Sequence, residues 1–228
     1  RNVLTHIKPD IVISFMAEPN LRSLIAKIGL DIKTIISVRN DPPKEYPGMM
    51  GKIAKLLFSQ ANYIVFQTDD AKEWFSKRLQ TKSDIIFNPV NPEFYSTHHT
   101  LKKSGIVTMG RLAPQKNHEM LIKAYSIIAP TTQEDLYIYG SGDSSIMQEL
   151  CKFLDISNRV HFMGQCKNVP EVLLKSRLFV LSSNYEGMPN ALMEAMASGI
   201  PCISTDCPCG GPKMLFPASI HDYLSPVG

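Results

Sequence analysis

The sequence predicts an α/β protein of the doubly wound kind, built on parallel sheets. Two observations carry this: short apolar runs rich in β-branched residues recur along the 228 residues, and segments with helical spacing separate them. Most of the runs lack polar/apolar alternation, as expected of strands covered on both faces.

Taken in order, RNVLTHIKPDIVISF reads as the end of a helix running into a first strand, DIVISFM at 10–16. Further strands are expected at 34–38, 63–67, 84–87, 105–110, 136–140, 159–164, 178–183 and 201–205. Helical spacing marks 21–28, 52–61, 71–79, 118–128, 146–154, 169–174 and 190–197. From Asn88 to Gly105 prolines and polar residues supply no periodicity, and a domain division is placed at about residue 96, giving domains 1–96 and 97–228.

Composition bounds the function. A 44% hydrophobic and 20% charged chain is ordinary for a globular protein, and no run reaches the ~18 apolar residues a membrane-spanning helix needs. The net charge of +3 is too small to indicate a nucleic-acid partner. The positive excess gathers between Arg22 and Lys55, which suits a solvated face or an anionic acceptor or lipid surface. Five cysteines without a framework argue for a reducing compartment, and Cys207-Pro-Cys209 lacks the second pair of a zinc site. The chain begins at Arg1, with no initiator Met or signal peptide, as though a preceding segment were removed.

Chemistry concentrates in NYEGMPNALMEAMASGIP, 184–201. A strand, a loop carrying Glu186 and a helix opened by Pro189 and stopped by Gly199 follow one another. Ligands bind outside the carboxyl ends of strands in open α/β sheets. The first-turn amides near Asn190 and Ala191 favour an anion such as a phosphate. Glu194, one turn into the helix, can accept from vicinal hydroxyls of a ribose, while Glu186 faces a second group; a nucleotide sugar fits. Dipole compensation and capping account for the same residues without a ligand.

A second candidate is GIVTMGRLAPQKNHEMLIKAY, 105–125. After Gly110, Arg111 and Lys116 emerge at one sheet edge, where a guanidinium fork and an ammonium could hold a diphosphate leaving group. Solvent-facing basic residues are the plain alternative, and His118 reads as a helix-start polar residue. Gly140-Ser-Gly142 follows a strand, yet Ser145 stands where a dinucleotide fingerprint has its third glycine, so a dehydrogenase is disfavoured.

With GRLAPQKN (110–117), LYIYGSG (136–142), RVHFMG (159–164) and NYEGMPNALMEAMASGIPCIST (184–205) in view, the chain resembles the retaining, nucleotide-sugar-dependent glycosyltransferases of GT-B architecture. More narrowly, it resembles the group-four enzymes ("glycosyl transferases group 1") of bacterial polysaccharide biosynthesis, lipopolysaccharide and capsule included.

The resemblance implies two Rossmann-like parallel-sheet domains facing across a cleft. The first is the rear part of an acceptor-side domain, and the second binds the donor but lacks its last helices. It implies that Glu194 holds ribose hydroxyls and Glu186 the donor sugar, with Gly187, Met188, Pro189, Asn190 and Ala191 forming the turn on sugar and phosphate. Arg111 and Lys116 lie on the diphosphate, and Gly110, Asn117, Gly140 and Gly142 line the donor site. Arg39 and Asn40, after a strand end in SVRNDPP, are candidate acceptor-side residues, or a structural turn.

A glycosyl unit would pass from a nucleotide-diphosphate sugar, a UDP-sugar as the expected donor, to a saccharide or lipid-linked saccharide acceptor with retention of configuration. No cofactor is expected, and no metal, because the two cations take that role. A cytoplasmic site, peripheral to the inner face of the membrane, is expected. The family's Gly-rich N-terminal loop and closing helices have no counterpart, so both ends are expected to be short, and His221-Asp222 stands where Asn-Gly is common. A nucleotide-sugar-binding module without catalysis and a UDP-sugar epimerase remain the alternatives.

Overall fold

The computed structural model describes residues 1–95 and 103–216. The division expected at residue 96 and the His221-Asp222 pair lie outside the described residues. The chain forms two compact units. One is Arg1–Asn88 with Glu186–Met188 and Pro208–Met214; the other is Pro89–Tyr185 with Pro189–Cys207 and Leu215–Gly228.

In the first unit, helix α1 (Asn2–Ile7) leads into strand β1 (Ile11–Phe15), followed by α2 (Ala17–Ala26), β2 (Lys33–Ser37), α3 (Pro42–Glu45), α4 (Met49–Phe58), β3 (Tyr63–Phe66), α5 (Asp69–Glu73), α6 (Lys77–Gln80) and β4 (Ser83–Ile85). The four strands are parallel in the order β1-β2-β3-β4. Sequential parallel strands require crossovers, which these helices supply. The core joins Leu24 of α2, Ile36 and Val38 around β2, Ala54 and Phe58 of α4, Ile64 and Phe66 of β3, and Phe75.

Local spacing misplaced three of these helices. Helix α2 begins four residues before the expected Leu21, since Pro19 falls inside the first turn, where a missing N–H breaks no ladder. Helix α4 likewise runs three residues earlier than expected, from Gly48 as its N-cap. The single helix expected at 71–79 is two: α5 starts at Thr68, whose hydroxyl accepts from the Ala71 amide at 3.2 Å, and α6 restarts from an extended Ser76. Between them Trp74 and Phe75 meet edge to face at 4.8 Å, and Phe75 stacks on Phe58 at 5.2 Å. Aromatic packing overrides helix continuation there.

The second unit opens with a 3₁₀ turn (Pro92–Tyr95) and then strand β5 (Ile106–Met109). After a 3₁₀ turn at Pro114–Lys116 come α7 (His118–Ile128), β6 (Leu136–Tyr139), α8 (Ser145–Phe153), β7 (Val160–Gly164), α9 (Val169–Lys175), β8 (Leu178–Leu181), α10 (Asn190–Ala197) and β9 (Cys202–Ser204). Helix α11 (Gly211–Leu215), which the sequence did not suggest, follows in the chain, and all of it but Leu215 belongs to the first unit. The parallel order is β7-β6-β5-β8-β9, so the winding reverses beside β5.

Central β5 is buried along its whole length. Its Ile106 joins Ile122, Tyr125, Leu136 and Ile138 in one core cluster, while Val107 and Met109 join Leu173, Phe179, Leu181 and Leu192 in another. Alternate side chains thus feed two opposite faces, each covered by helices. At the amino edge Arg159 donates to Asp135 Oδ1 at 2.6 Å and to the carbonyls of Ala129, Thr132 and Glu134, pinning the α7–β6 connection.

Burial also shapes the first unit's charge. Asp41 is the buried N-cap residue of α3, without a side-chain capping bond, and Glu45 lies one helical turn on. Burial and the neighbouring Asp41 carboxylate push the Glu45 carboxyl up from 4.5 to about 7. A raised folded-state value means that this group's stabilisation is present below about pH 4.5 and is lost as pH rises through 7. Glu45→Gln should therefore gain on the wild-type chain by on the order of 2 kcal/mol between pH 4.5 and pH 8 in urea unfolding. A difference independent of pH would contradict the assignment.

Candidate functional site

The reversal between β5 and β8 creates the crevice at which an open α/β sheet binds ligands. The two loops leaving those strands, Gly110–Asn117 and Ser182–Tyr185, are tied together by hydrogen bonds. Asn184 N–H donates to the Gln115 carbonyl at 2.8 Å, and its side chain donates to the Pro114 carbonyl at 2.8 Å. The Asn117 amide donates to Asn184 Oδ1 at 2.9 Å, Gln115 to the Tyr185 carbonyl at 3.0 Å, and the Ser182 hydroxyl to the Lys116 carbonyl at 2.8 Å. Asn184, Gln115 and Ser182 carry no obvious chemistry in the sequence, yet they fix where Lys116 starts.

Glycines let the β5 and β6 loops touch. Gly110 N–H donates to the Tyr139 carbonyl at 2.9 Å and Leu112 N–H to the Ser141 carbonyl at 2.8 Å. A Cβ on Gly140 would stand 1.8 Å from the Gly110 oxygen, so only glycine fits. Gly142, at φ +134°, would place a Cβ 2.8 Å from that of Leu112. Lys116 lays its stem over Gly110, where a Cβ would meet Cδ and Cε at 3.1 Å. The exposed Arg111 leaves the same edge. Gly110, Arg111, Lys116, Gly140 and Gly142 are thereby brought together.

Asn117 adopts a left-handed conformation, φ 47° and ψ 44°, and its side chain caps α7 by accepting from Met120 N–H at 3.4 Å. Asn tolerates that region better than most residues. Next to it His118 is buried, and burial, followed by the Lys116 charge, brings its imidazole down to about 4. It is therefore neutral at pH 7, and no protein group reaches its Nδ1 among the described residues.

Helix α10 rises from the loop after β8 and packs on β8 and β9. Pro189 stands one position earlier than the sequence indicated, as an extended N-cap and not as the first helical residue, with no side-chain cap bond. Its carbonyl accepts from Leu192 and Met193 N–H at 3.1 Å, leaving the Asn190 and Ala191 amides ahead of the helical ladder. Glu194 lies one turn in, partly buried, and burial raises its carboxyl above the ordinary value.

The remaining sequence candidates group in the first unit. A Cβ on Gly187 would fall 2.4 Å from the Arg39 carbonyl oxygen and 3.0 Å from Asn40 Cα. Met188 N–H donates to Gln67 Oε1 at 3.3 Å, and Glu186 is buried. The Arg39 guanidinium is engaged by Asn88 Oδ1 and by the Ser37 hydroxyl at 3.4 Å, and lies 5.4 Å from the Phe15 ring centre. Burial lowers its pKa from the ordinary arginine value. In the same unit Asn40 Oδ1, Glu45 Oε2 and Gln67 Nε2 are buried without a protein partner among the described residues. Sequence reasoning passed over Glu45 and Gln67; the i, i+4 acids straddling Pro42-Pro43 directly after a strand were the available signal for the first.

Comparison with known proteins follows the same lines. An uncharacterized glycosyltransferase of Methanocaldococcus jannaschii is 31% identical over 94% of this chain and 60% of its own length. A Campylobacter jejuni α-1,4-N-acetyl-D-galactosaminyltransferase, named for a diphospho-undecaprenol-linked saccharide, is 27% identical over 86% of this chain and 55% of its own. This chain thus spans about 60% of the length of such relatives. Among solved structures, Anabaena HepE in complex with UDP and glucose superposes with a TM-score of 0.84 at 18% identity, over 99% of this chain and 66% of that one. Staphylococcus aureus TarM gives 0.78 at 17% identity, over 99% and 48%. Both share the fold, two Rossmann-like domains of the GT-B type. The sequence profile of the glycosyl transferases group 1 matches residues 103–226, and the chain belongs to that family.

Proposed function

We propose that this chain transfers a glycosyl unit from a nucleoside diphosphate sugar, a UDP-sugar in the first instance, to a saccharide or lipid-linked saccharide, with retention of anomeric configuration. The observation that carries the reading is the β5–β8 edge, where the loop bearing Arg111 and Lys116 is hydrogen-bonded to the loop that leads on to α10, the helix of the half-buried Glu194. Glu194 accepts from the two ribose hydroxyls, and the first amides of α10 meet phosphate oxygens. Arg111 and Lys116 neutralise the departing diphosphate, the group on which charge builds in the transition state, and no metal is invoked. The bond from the anomeric carbon to the phosphate oxygen breaks as that carbon bonds the acceptor oxygen on the same face, and the acceptor proton passes to the leaving phosphate. Glu186 positions the donor sugar. The acceptor class is supported by the undecaprenol-linked saccharide named for the Campylobacter relative. The reading places the reaction on the cytoplasmic side of a membrane.

Calorimetric titration with UDP, GDP, ADP and CMP tests the donor site. One nucleotide should bind selectively, and Glu194→Ala should weaken it roughly 10- to 100-fold, the worth of charge-assisted hydrogen bonds. Absence of binding by a chain shown folded by circular dichroism would overturn the reading. In a transfer assay Glu186→Ala should lower turnover about 100-fold while nucleotide affinity stays within threefold, as expected for a group that acts on the sugar.

Gly140→Ala bears on the scaffold. Its new methyl meets the Gly110 carbonyl head on, so both nucleotide affinity and thermal stability should fall. Unchanged melting and affinity would show that the two loops do not need their close approach.

A further inference from the structure

The turn that carries Glu186 is held by the carboxyl ends of two neighbouring strands. Glu186–Met188 packs as part of the first unit. Strands β2 and β3 pair in parallel, so the residues that follow them, Arg39 and Asn40 in one case and Gln67 in the other, leave the sheet next to each other. Gly187 rests on the first pair: a Cβ there would fall 2.4 Å from the Arg39 carbonyl oxygen, which leaves no room for a side chain. Met188 N–H donates to Gln67 Oε1 at 3.3 Å, and Gln67 is 2% and Met188 5% exposed. The two residues directly after Glu186 are thus fixed, one by contact and one by a hydrogen bond.

Gln67 is itself a fixed base. The residue before it ends β3, and the residue after it, Thr68, is the buried N-cap of α5 and accepts from Ala71 N–H at 3.2 Å. Its amide can face Met188 in one sense alone. A backbone N–H only donates, so the side-chain oxygen has to point at it and Nε2 is turned away. Nε2 is buried with no protein partner among the described residues. Polar satisfaction does not account for this side chain: an apolar residue at 67 would remove the acceptor of the Met188 N–H and leave that donor unpaired in place of Nε2, one orphan for another. What glutamine adds over an apolar residue is the position of the turn.

We propose that Gln67 is a positioning residue for the transfer: by taking up the Met188 N–H it sets the Glu186 carboxylate against the donor sugar, and it does not itself touch the substrate. The Met188 amide then serves as a tie within the protein and not as a donor to the sugar or phosphate. The proposal rests on the reading above, in which Glu186 positions the donor sugar. Rate is sensitive to such placement, since a shift of about 1 Å in a group that orients a substrate costs on the order of 100-fold.

The test compares the parent chain with Gln67→Leu, Gln67→Glu, Glu186→Ala and the double variant Gln67→Leu with Glu186→Ala. Turnover is read as UDP released from UDP-glucose, UDP-galactose and their 2-acetamido forms, beside UDP titration, melting and amide hydrogen exchange at Met188. Gln67→Leu should lower kcat about 10- to 100-fold while KM and UDP affinity stay within roughly threefold and melting stays close to that of the parent. Gln67→Glu, which keeps an oxygen for the Met188 N–H, should recover most of the lost kcat. The double variant should be no more than roughly threefold slower than Glu186→Ala alone, because Gln67 acts through Glu186. Met188 should exchange faster in Gln67→Leu and as in the parent in Gln67→Glu. Losses that multiply in the double variant overturn the proposal, as does Met188 exchange unchanged in Gln67→Leu. Gln67→Glu as slow as Gln67→Leu despite restored exchange also overturns it, since Nε2 would then meet the substrate. If Glu186→Ala slows turnover and Gln67→Leu does not, this proposal alone fails; if the parent binds UDP but releases none from these donors, the transferase reading fails and takes the proposal with it.

Discussion

The carbonyl of Gly110 occupies the space in which any other residue at position 140 would carry its Cβ, 1.8 Å away. That close approach lets the β5 loop lie flat against the β6 loop, bonded through Gly110 and Leu112. Lys116 can then run its stem across Gly110, and Asn117 is delivered in a left-handed conformation to cap α7. From Asn117 the bonds pass to Asn184, and from Asn184 back to Pro114 and Gln115. The cations of this edge are thus mounted on a loop held from both sides. A side chain held by its neighbours before a ligand arrives loses less freedom on binding, the usual basis of preorganisation.

The two units spend burial differently. The second buries its apolar residues on both faces of β5 and keeps its charges at the rims: Arg159 and Asp135 at the amino edge, Arg111 and Lys116 at the carboxyl edge. The first buries carboxylates as well, at Asp41 and Glu186. Asp41, Gln67 and Thr68 are buried, and the Glu45, Gln67 and Asn40 side chains each keep an atom without a protein partner among the described residues. Such atoms cost roughly 1–3 kcal/mol apiece when nothing meets them. These groups lie just beyond the carboxyl ends of β2 and β3.

Periodicity and turn residues are local properties, and they made the alternation of strands and helices readable in the chain. All nine expected strands are present among the described residues, and α7, α8, α9 and α10 lie within about one residue of their expected limits. Where a distant contact intervened, local reading failed. Trp74 and Phe75 broke one helix in two, and α3 and α11 are too short to show a period. Family membership was equally legible, because the motif blocks are contiguous in sequence.

By itself, then, the sequence determined the α/β class, the parallel strands, the family and the residue types at each strand end, since all of these depend on neighbours in the chain. Only the tertiary structure decided that β8 pairs with β5, so that Asn184 finds loop partners about 70 residues earlier. Only it decided that Gly140 must have no side chain and that one carboxylate oxygen of Glu45 is buried near Asp41. The bond between Met188 and Gln67 was settled in the same way. Each of these rests on atoms far apart in sequence sharing one small volume, and a linear pattern carries no record of that distance.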